Sequence, residues 1–230
     1  ITPVAFILYM IYKRDTEKEP FSLLVACLML GFIITVPILI IEIFFSFIID
    51  SSGAYGSTHS FLKAFLMAGF TEELFKFLAL VLIMRLTKYF DQHYDGIVYA
   101  VFVSLGFAMI ENIMYVMDHG YGIAAVRAIL SVPAHAFFAV FMGYFLSLAF
   151  LGKPQDRKRN LTLSLVVPVI LHGLFDFFLF DIESNPVVYA LLFFVLNIGL
   201  WRFGLTRIKS HIQKDKAEIA FRENSGDGPG

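Results

Sequence analysis

The sequence predicts an all-α protein: a polytopic transmembrane helical bundle of about seven spans, with the N-terminus outside and the C-terminus in the cytoplasm. Three observations lead there. Of 230 residues, 58% are hydrophobic and 16% charged, with a mean hydropathy of +0.75; ordinary soluble domains are roughly 25% charged. The apolar residues fall in blocks of roughly 17 to 28, and about 20 carry a helix across a bilayer core. Lysine and arginine gather on alternate loops, the asymmetry that orients a membrane protein.

The first span, 1–12, is apolar from Ile1 to Tyr12. It covers about 18 Å of helix against a core of about 30 Å, as expected of a span that has lost its start. The second, 21–49, carries Pro37 and Glu42, and Glu42 could line a cavity shared with the other polar residues or pair with a neighbour, the structural role being preferred. The third, 60–86, contains MAGFTEELFKFLAL at 67–80, an apolar run holding Glu72, Glu73 and Lys76. The fourth, 94–117, opens on Asp95-Gly96, a helix-capping signal, and carries Phe107, Glu111 and Asn112. The fifth, 124–150, carries Ser131, Pro133 and His135, and the sixth, 161–181, carries His172 and Asp176. The seventh, 187–205, ends where the chain turns basic and then polar. Residues 1–209 therefore form the transmembrane domain, and 210–230, ending in SGDGPG, are expected to be a disordered cytoplasmic tail.

The segments 13–20, 85–93, 151–160 and 202–230 hold nearly all the lysines and arginines, while the alternate segments hold only Lys63 and Arg127. The basic set is cytoplasmic by the positive-inside rule, and an odd number of spans agrees with that. No internal repeat of the inverted-transporter kind is visible. Cys27, the single cysteine, lies in an apolar block and excludes an intrachain disulfide. A net charge of -1 excludes the basic footprint of a nucleic-acid partner. His59, His93 and His119 lie in or beside loops and are expected to be solvated, and Gly69, Gly106 and Gly143 to serve close helix packing.

A charge near the bilayer centre costs roughly 2.5–3.5 kcal/mol, while a Leu or Phe returns about 0.3–0.6. Glu72, Glu73 and Lys76 must therefore face protein or water. At about 100° per residue, Lys76 lies about 40° from Glu72 and about 60° from Glu73, between the two carboxylates. His172 and Asp176 are at i and i+4, where a carboxylate can orient an imidazole. With alternating spans, Glu72, Glu73, His135 and His172 fall near mid-depth, and Glu111 and Asp176 nearer the outer face. An ion-paired packing network would use the same residues structurally.

Peptide hydrolysis needs an activated water, donors for the oxyanion and an acid for the leaving amine. Glu72 or Glu73 can serve as base, while His172, oriented by Asp176, and His135 or Asn112 can donate to the oxyanion or protonate the amine. In a zinc variant His135, His172 and Glu111 would hold the ion, with Glu73 as base, although His-Glu-x-x-His is absent.

Glu72-Glu73-x-x-Lys76, Phe107-x-x-x-Glu111-Asn112, His135 and His172-x-x-x-Asp176, with FDQHYDGIVYAVFVSLGFAMIENIMYVMDHG at 90–120, resemble the PrsW family of bacterial membrane proteases. That family is related to type II CAAX prenyl endopeptidases and bacteriocin-processing enzymes. The wider superfamily commonly has Arg one position after Lys76. The resemblance implies a multi-pass protease of the bacterial cytoplasmic membrane. It would make the first, extracytoplasmic-side cut in a single-span anti-sigma factor, and a second intramembrane protease would complete release of the sigma factor under envelope stress. The family's paired glutamates fall on Glu72 and Glu73, and its essential histidine on His172. A proton- or cation-coupled transporter using a Glu/His relay is the alternative, and a catalytically inert scaffold a third.

Overall fold

The structure is a computed structural model and describes residues 2–225, among which every regular element is helical. In order these are α1 (Thr2–Arg14), α2 (Phe21–Ser51), α3 (Gly56–Leu62), a π-helical stretch (Lys63–Phe70), α4 (Thr71–Leu86), α5 (His93–His119), α6 (Tyr121–Ile129), α7 (Ser131–Phe150), α8 (Arg157–Phe180) and α9 (Pro186–Ser225). A single 3₁₀ turn, Pro154–Asp156, leads into α8.

Five helical segments are long and apolar enough to cross a membrane: α2, α5, Val126–Phe150, α8 and α9. This is a multi-pass membrane protein. The remaining two expected spans are α1, with 13 residues, and the path from Gly56 to Leu86, which the π-helical stretch divides. Ends expected on the same side of the membrane meet in space. At one pole, Tyr94 Oη donates to the Ile11 carbonyl at 3.1 Å, and Ser147 Oγ to the His93 carbonyl at 2.7 Å. At the other, Ser57 Oγ donates to Asp181 at 2.8 Å, and Lys63 pairs with Asp50 at 3.0 Å.

At the centre is α5, covered by α2 on one side and α7 on the other. A side chain at Gly31 would collide with the Val103 carbonyl, one at Gly106 with the Leu28 carbonyl, and one at Gly143 with the Gly96 carbonyl. Backbones therefore touch at both crossings, the close approach that small residues permit in membrane helices. The expected cap of α5 forms: Asp95 Oδ2 accepts from the amides of Asp91 at 3.1 Å and Gln92 at 2.7 Å. Cys27 is buried.

Several expectations change. The fifth span, expected as one helix over 124–150, breaks at Leu130 into α6 and α7. Pro133 supplies no amide and its ring crowds the carbonyl four residues earlier, so α6 cannot run straight into α7. His93, expected in solvent, is buried at 3% exposure, with Lys214 Nζ 2.7 Å from its Nε2. His59 is half-buried, 2.8 Å from Asp50, and the side chain of His119 lies outside the described residues. Residues 210–225, expected in a disordered tail, are helical. Helix α9 continues to Ser225, because its C-terminal half docks: Asp215 accepts from the His93 and Tyr94 amides at 2.9 and 2.8 Å, and His211 stacks on Tyr144. Residues 226–230 lie outside the described residues.

Candidate active site

The π-helical stretch delivers the paired glutamates. It ends at Phe70, and Glu72 and Glu73 then stand in the first turn of α4; wide turns of this kind are frequent at functional sites. A side chain at Gly69 would press on Gly173 N and Val169 O, at 3.1 Å each, and one at Gly173 would strike the Phe65 ring. The two glycines let α8 lie directly against the π-helical stretch, which brings His172 to the glutamates.

The charged trio has the arrangement read from its spacing. Lys76 Nζ donates to Glu72 Oε2 at 2.9 Å and to Glu73 Oε1 at 2.8 Å, and lies 4.3 Å from the Phe107 ring centroid. All three side chains are buried. Across the helix interface, His172 Nδ1 is 2.9 Å from Glu73 Oε1 and 3.9 Å from Glu72 Oε2, while its Nε2 is 3.3 Å from Asp176 Oδ2. The ring stacks on Phe138, with centroids 4.9 Å apart, and stands perpendicular to the His135 ring at 5.2 Å.

Glu111 bridges His135 and Arg127. Its Oε2 is 3.0 Å from His135 Nε2, and its Oε1 is 2.6 Å from Arg127 Nη2. Asn112 does not reach the histidines: its amide nitrogen donates to the Ala108 carbonyl at 2.6 Å, and its oxygen accepts from Arg127 Nε at 3.1 Å.

A cavity of about 700 Å³ extends from Glu72, His135 and His172 to Asp118 and Phe180 at the C-terminal ends of α5 and α8. Glu72 lines it, and Glu73 stands behind, fully buried. Glu42, for which the sequence left a cavity-lining role open beside the preferred structural one, also lines this cavity, as do Tyr115 and Arg127. Tyr115 carried no signal in the sequence. Arg127 carried one, as a cation on the side that the orientation rule leaves poor in positive charge.

The donor set suits a metal ion. Glu72, Glu73, His135 and His172 each offer a ligand atom within 4.8 Å of the others. On these residues Glu73 Oε2 and His135 Nδ1 are buried without a hydrogen-bond partner, whereas buried polar atoms are ordinarily satisfied. Glu111 is not in this group, although its Oε2 contacts His135 Nε2.

The family profile described as PrsW family intramembrane metalloprotease matches residues 19–200. The chain is 40% identical over 206 residues to Protease PrsW of Bacillus subtilis (strain 168), covering 90% of each chain. It is 36% identical over 213 residues to Protease PrsW of Oceanobacillus iheyensis, covering 91% of this chain and 92% of that one. With Protease PrsW of Clostridioides difficile (strain 630) it shares 32% identity over 222 residues, 94% and 91% of the two chains. No solved structure matches.

Proposed function

Since the chain belongs to the PrsW family of intramembrane proteases, we propose that it makes the first, extracytoplasmic-side cut in a single-span anti-sigma factor, using the cavity between α4, α5, α7 and α8. A second intramembrane protease then completes release of the sigma factor. The observation that carries this reading is the meeting of Glu72, Glu73, His135 and His172 from three separate helices beside a cavity that extends toward the outer helix ends. The seven-span topology with the C-terminus in the cytoplasm gives that cavity its outward bias.

Each residue takes a role from its surroundings. Of the paired glutamates Glu72 is the one that lines the cavity, so it is the general base that draws a proton from the attacking water. Glu73, shared between Lys76 and His172, holds both in register and keeps the ammonium between the two acids. The proton that Glu72 takes passes to the leaving amine, while Asp176 holds the His172 ring and Glu111 the His135 ring in place. Glu73, His135 and His172 would hold a zinc ion. When bound, such an ion supplies a Lewis acid and lowers the pKa of a coordinated water. The apolar walls, Phe138 and Phe175 among them, keep bulk water from the scissile bond.

The test is co-expression with a single-span anti-sigma factor carrying tags at both ends, its size followed by blotting. Wild type is expected to shorten the substrate near its outer juxtamembrane segment, while Glu72→Gln and His172→Ala, at normal expression, leave it intact. Chelator should stop cleavage by the purified protein and zinc restore it. Cleavage by well-folded Glu72→Gln and His172→Ala at the wild-type rate would sink the site assignment, and proton uptake without cleavage would replace the protease by a transporter.

A further inference from the structure

The outer segments hold two cations against the positive-inside bias, Lys63 and Arg127. Lys63 pairs with exposed Asp50, which accounts for it at the surface. Arg127 instead turns inward from α6 and lines the cavity. Its Nη2 lies 2.6 Å from Glu111 Oε1, its Nε donates to Asn112 Oδ1 at 3.1 Å, and its guanidinium carbon is 3.7 Å from the Tyr115 ring centroid. One side chain thus grips three residues of α5 at once. The planar fork of arginine suits this, since it can serve a carboxylate and an amide oxygen and stack on a ring together.

The grip continues inward. Glu111 uses its second oxygen on His135 Nε2 at 3.0 Å. A carboxylate held there keeps the imidazole proton on Nε2 and leaves Nδ1 with a free lone pair. That Nδ1 is the buried atom without a hydrogen-bond partner, on the ring that faces His172. Local chain geometry brings Arg127 into reach: Gly120, at φ +80°, turns the chain out of α5, and the break at Leu130 angles α6 against α7.

We propose that Arg127 is a positioning residue for hydrolysis. By clamping Glu111 from the far side, it fixes the ring orientation and tautomer of His135, so α6 supplies the last constraint on a site whose other members come from α4, α5, α7 and α8. The inference rests on the proteolytic reading of this cavity. Outer-shell groups that orient a reacting histidine in this way are typically worth about 10–100-fold in activity.

The experiment measures cleavage of the same tagged anti-sigma factor by purified protein in liposomes, together with melting temperature and the ¹⁵N shifts of labelled histidine. Arg127→Ala is expected to lower kcat about 10–100-fold with little change in KM or melting temperature. Arg127→Lys, which can still pair with Glu111, should recover most of the rate, and Lys63→Ala should cleave normally. Combined with Glu111→Gln, Arg127→Ala should cost nothing further, because both act on one chain of contacts. The His135 resonances should show protonated Nε2 in the wild type and lose that state in Arg127→Ala.

The outcomes separate the two claims. If Glu72→Gln and His172→Ala both cleave at the wild-type rate, the reading of the cavity fails. If those variants are inactive and Arg127→Ala cleaves normally, the positioning role alone fails. A fall in melting temperature with unchanged His135 shifts, or a second loss that adds fully to that of Glu111→Gln, makes Arg127 merely structural and overturns the proposal.

Discussion

Lys76 is the residue on which the local electrostatics turn. It sits 2.9 and 2.8 Å from two buried carboxylates, and removing one partner from a buried ionic cluster commonly costs about 3–5 kcal/mol, because the remaining charge loses its compensation. Lys76→Met is therefore expected to lower stability by about that amount in a denaturant titration of micellar protein. Lys76→Arg, still able to bridge both acids, should lose far less. Equal losses in the two variants would mean that packing against Phe107, not charge, sets the value of the position. These contacts were legible in the sequence because i, i+3 and i, i+4 spacings fix them within one helix, and the same holds for His172 and Asp176. The approach of His172 to Glu73, 99 positions apart, and of Arg127 to Glu111 depends on how helices pack, which no local spacing specifies.

Elements show where patterning ends and packing begins. The breadth of α5, α7 and α8 follows from apolar runs. The break at Leu130 was readable in Pro133, although a continuous apolar stretch argued for one helix. The last half of α9 was not readable, since its composition is that of a solvated tail. It is helical and docked because Asp215 caps α5 from outside, a contact with no trace in the residues flanking it.

Beside that cap, the connection from α1 to α2 buries Asp15 and Glu19, close to Asp95 and Tyr99 of α5, with Asp91, Lys18 and Asp215 also nearby. Burial pushes Asp15 up to about 6 and Glu19 up to about 7. A carboxyl whose folded pKa is raised binds its proton more tightly in the folded state. Its stabilising share is thus whole below the ordinary values of 3.8 and 4.5 and is lost as pH rises through about 6 to 7. Melting temperature should fall across that window, and Glu19→Gln should flatten the fall. An identical profile in the variant would remove Glu19 as its source.

For the whole molecule, composition and block length were sufficient for an all-helical membrane bundle, and the alternation of positive charge for which ends should share a side. The hydrogen bonds at each pole join ends paired in that way. Depth could be inferred from spans alone, which is why four of the groups around the cavity were legible before their partners were. Direction around each helix could not. The packed bundle turns Glu111 to Arg127 and His135 and leaves Glu73 with an unpartnered oxygen, which helical spacing alone does not specify.

The glycine crossings of α5 bear on how such a chain tolerates change. Where backbone meets backbone at Gly31, Gly96, Gly106 and Gly143, even a methyl group has no room. Lipid-facing α2 positions such as Ile33, Val36, Ile40 and Phe47 are exposed and ask only for apolarity. A saturation library scored for membrane accumulation should accordingly show four intolerant positions facing α5 crossings and a permissive stripe one helix face away. Free substitution by alanine at Gly106 or Gly143 would contradict such tight crossings. A lineage carrying this bundle can thus drift widely in the sequence it presents to lipid, while the spacing between its central helices stays fixed to within a methyl group.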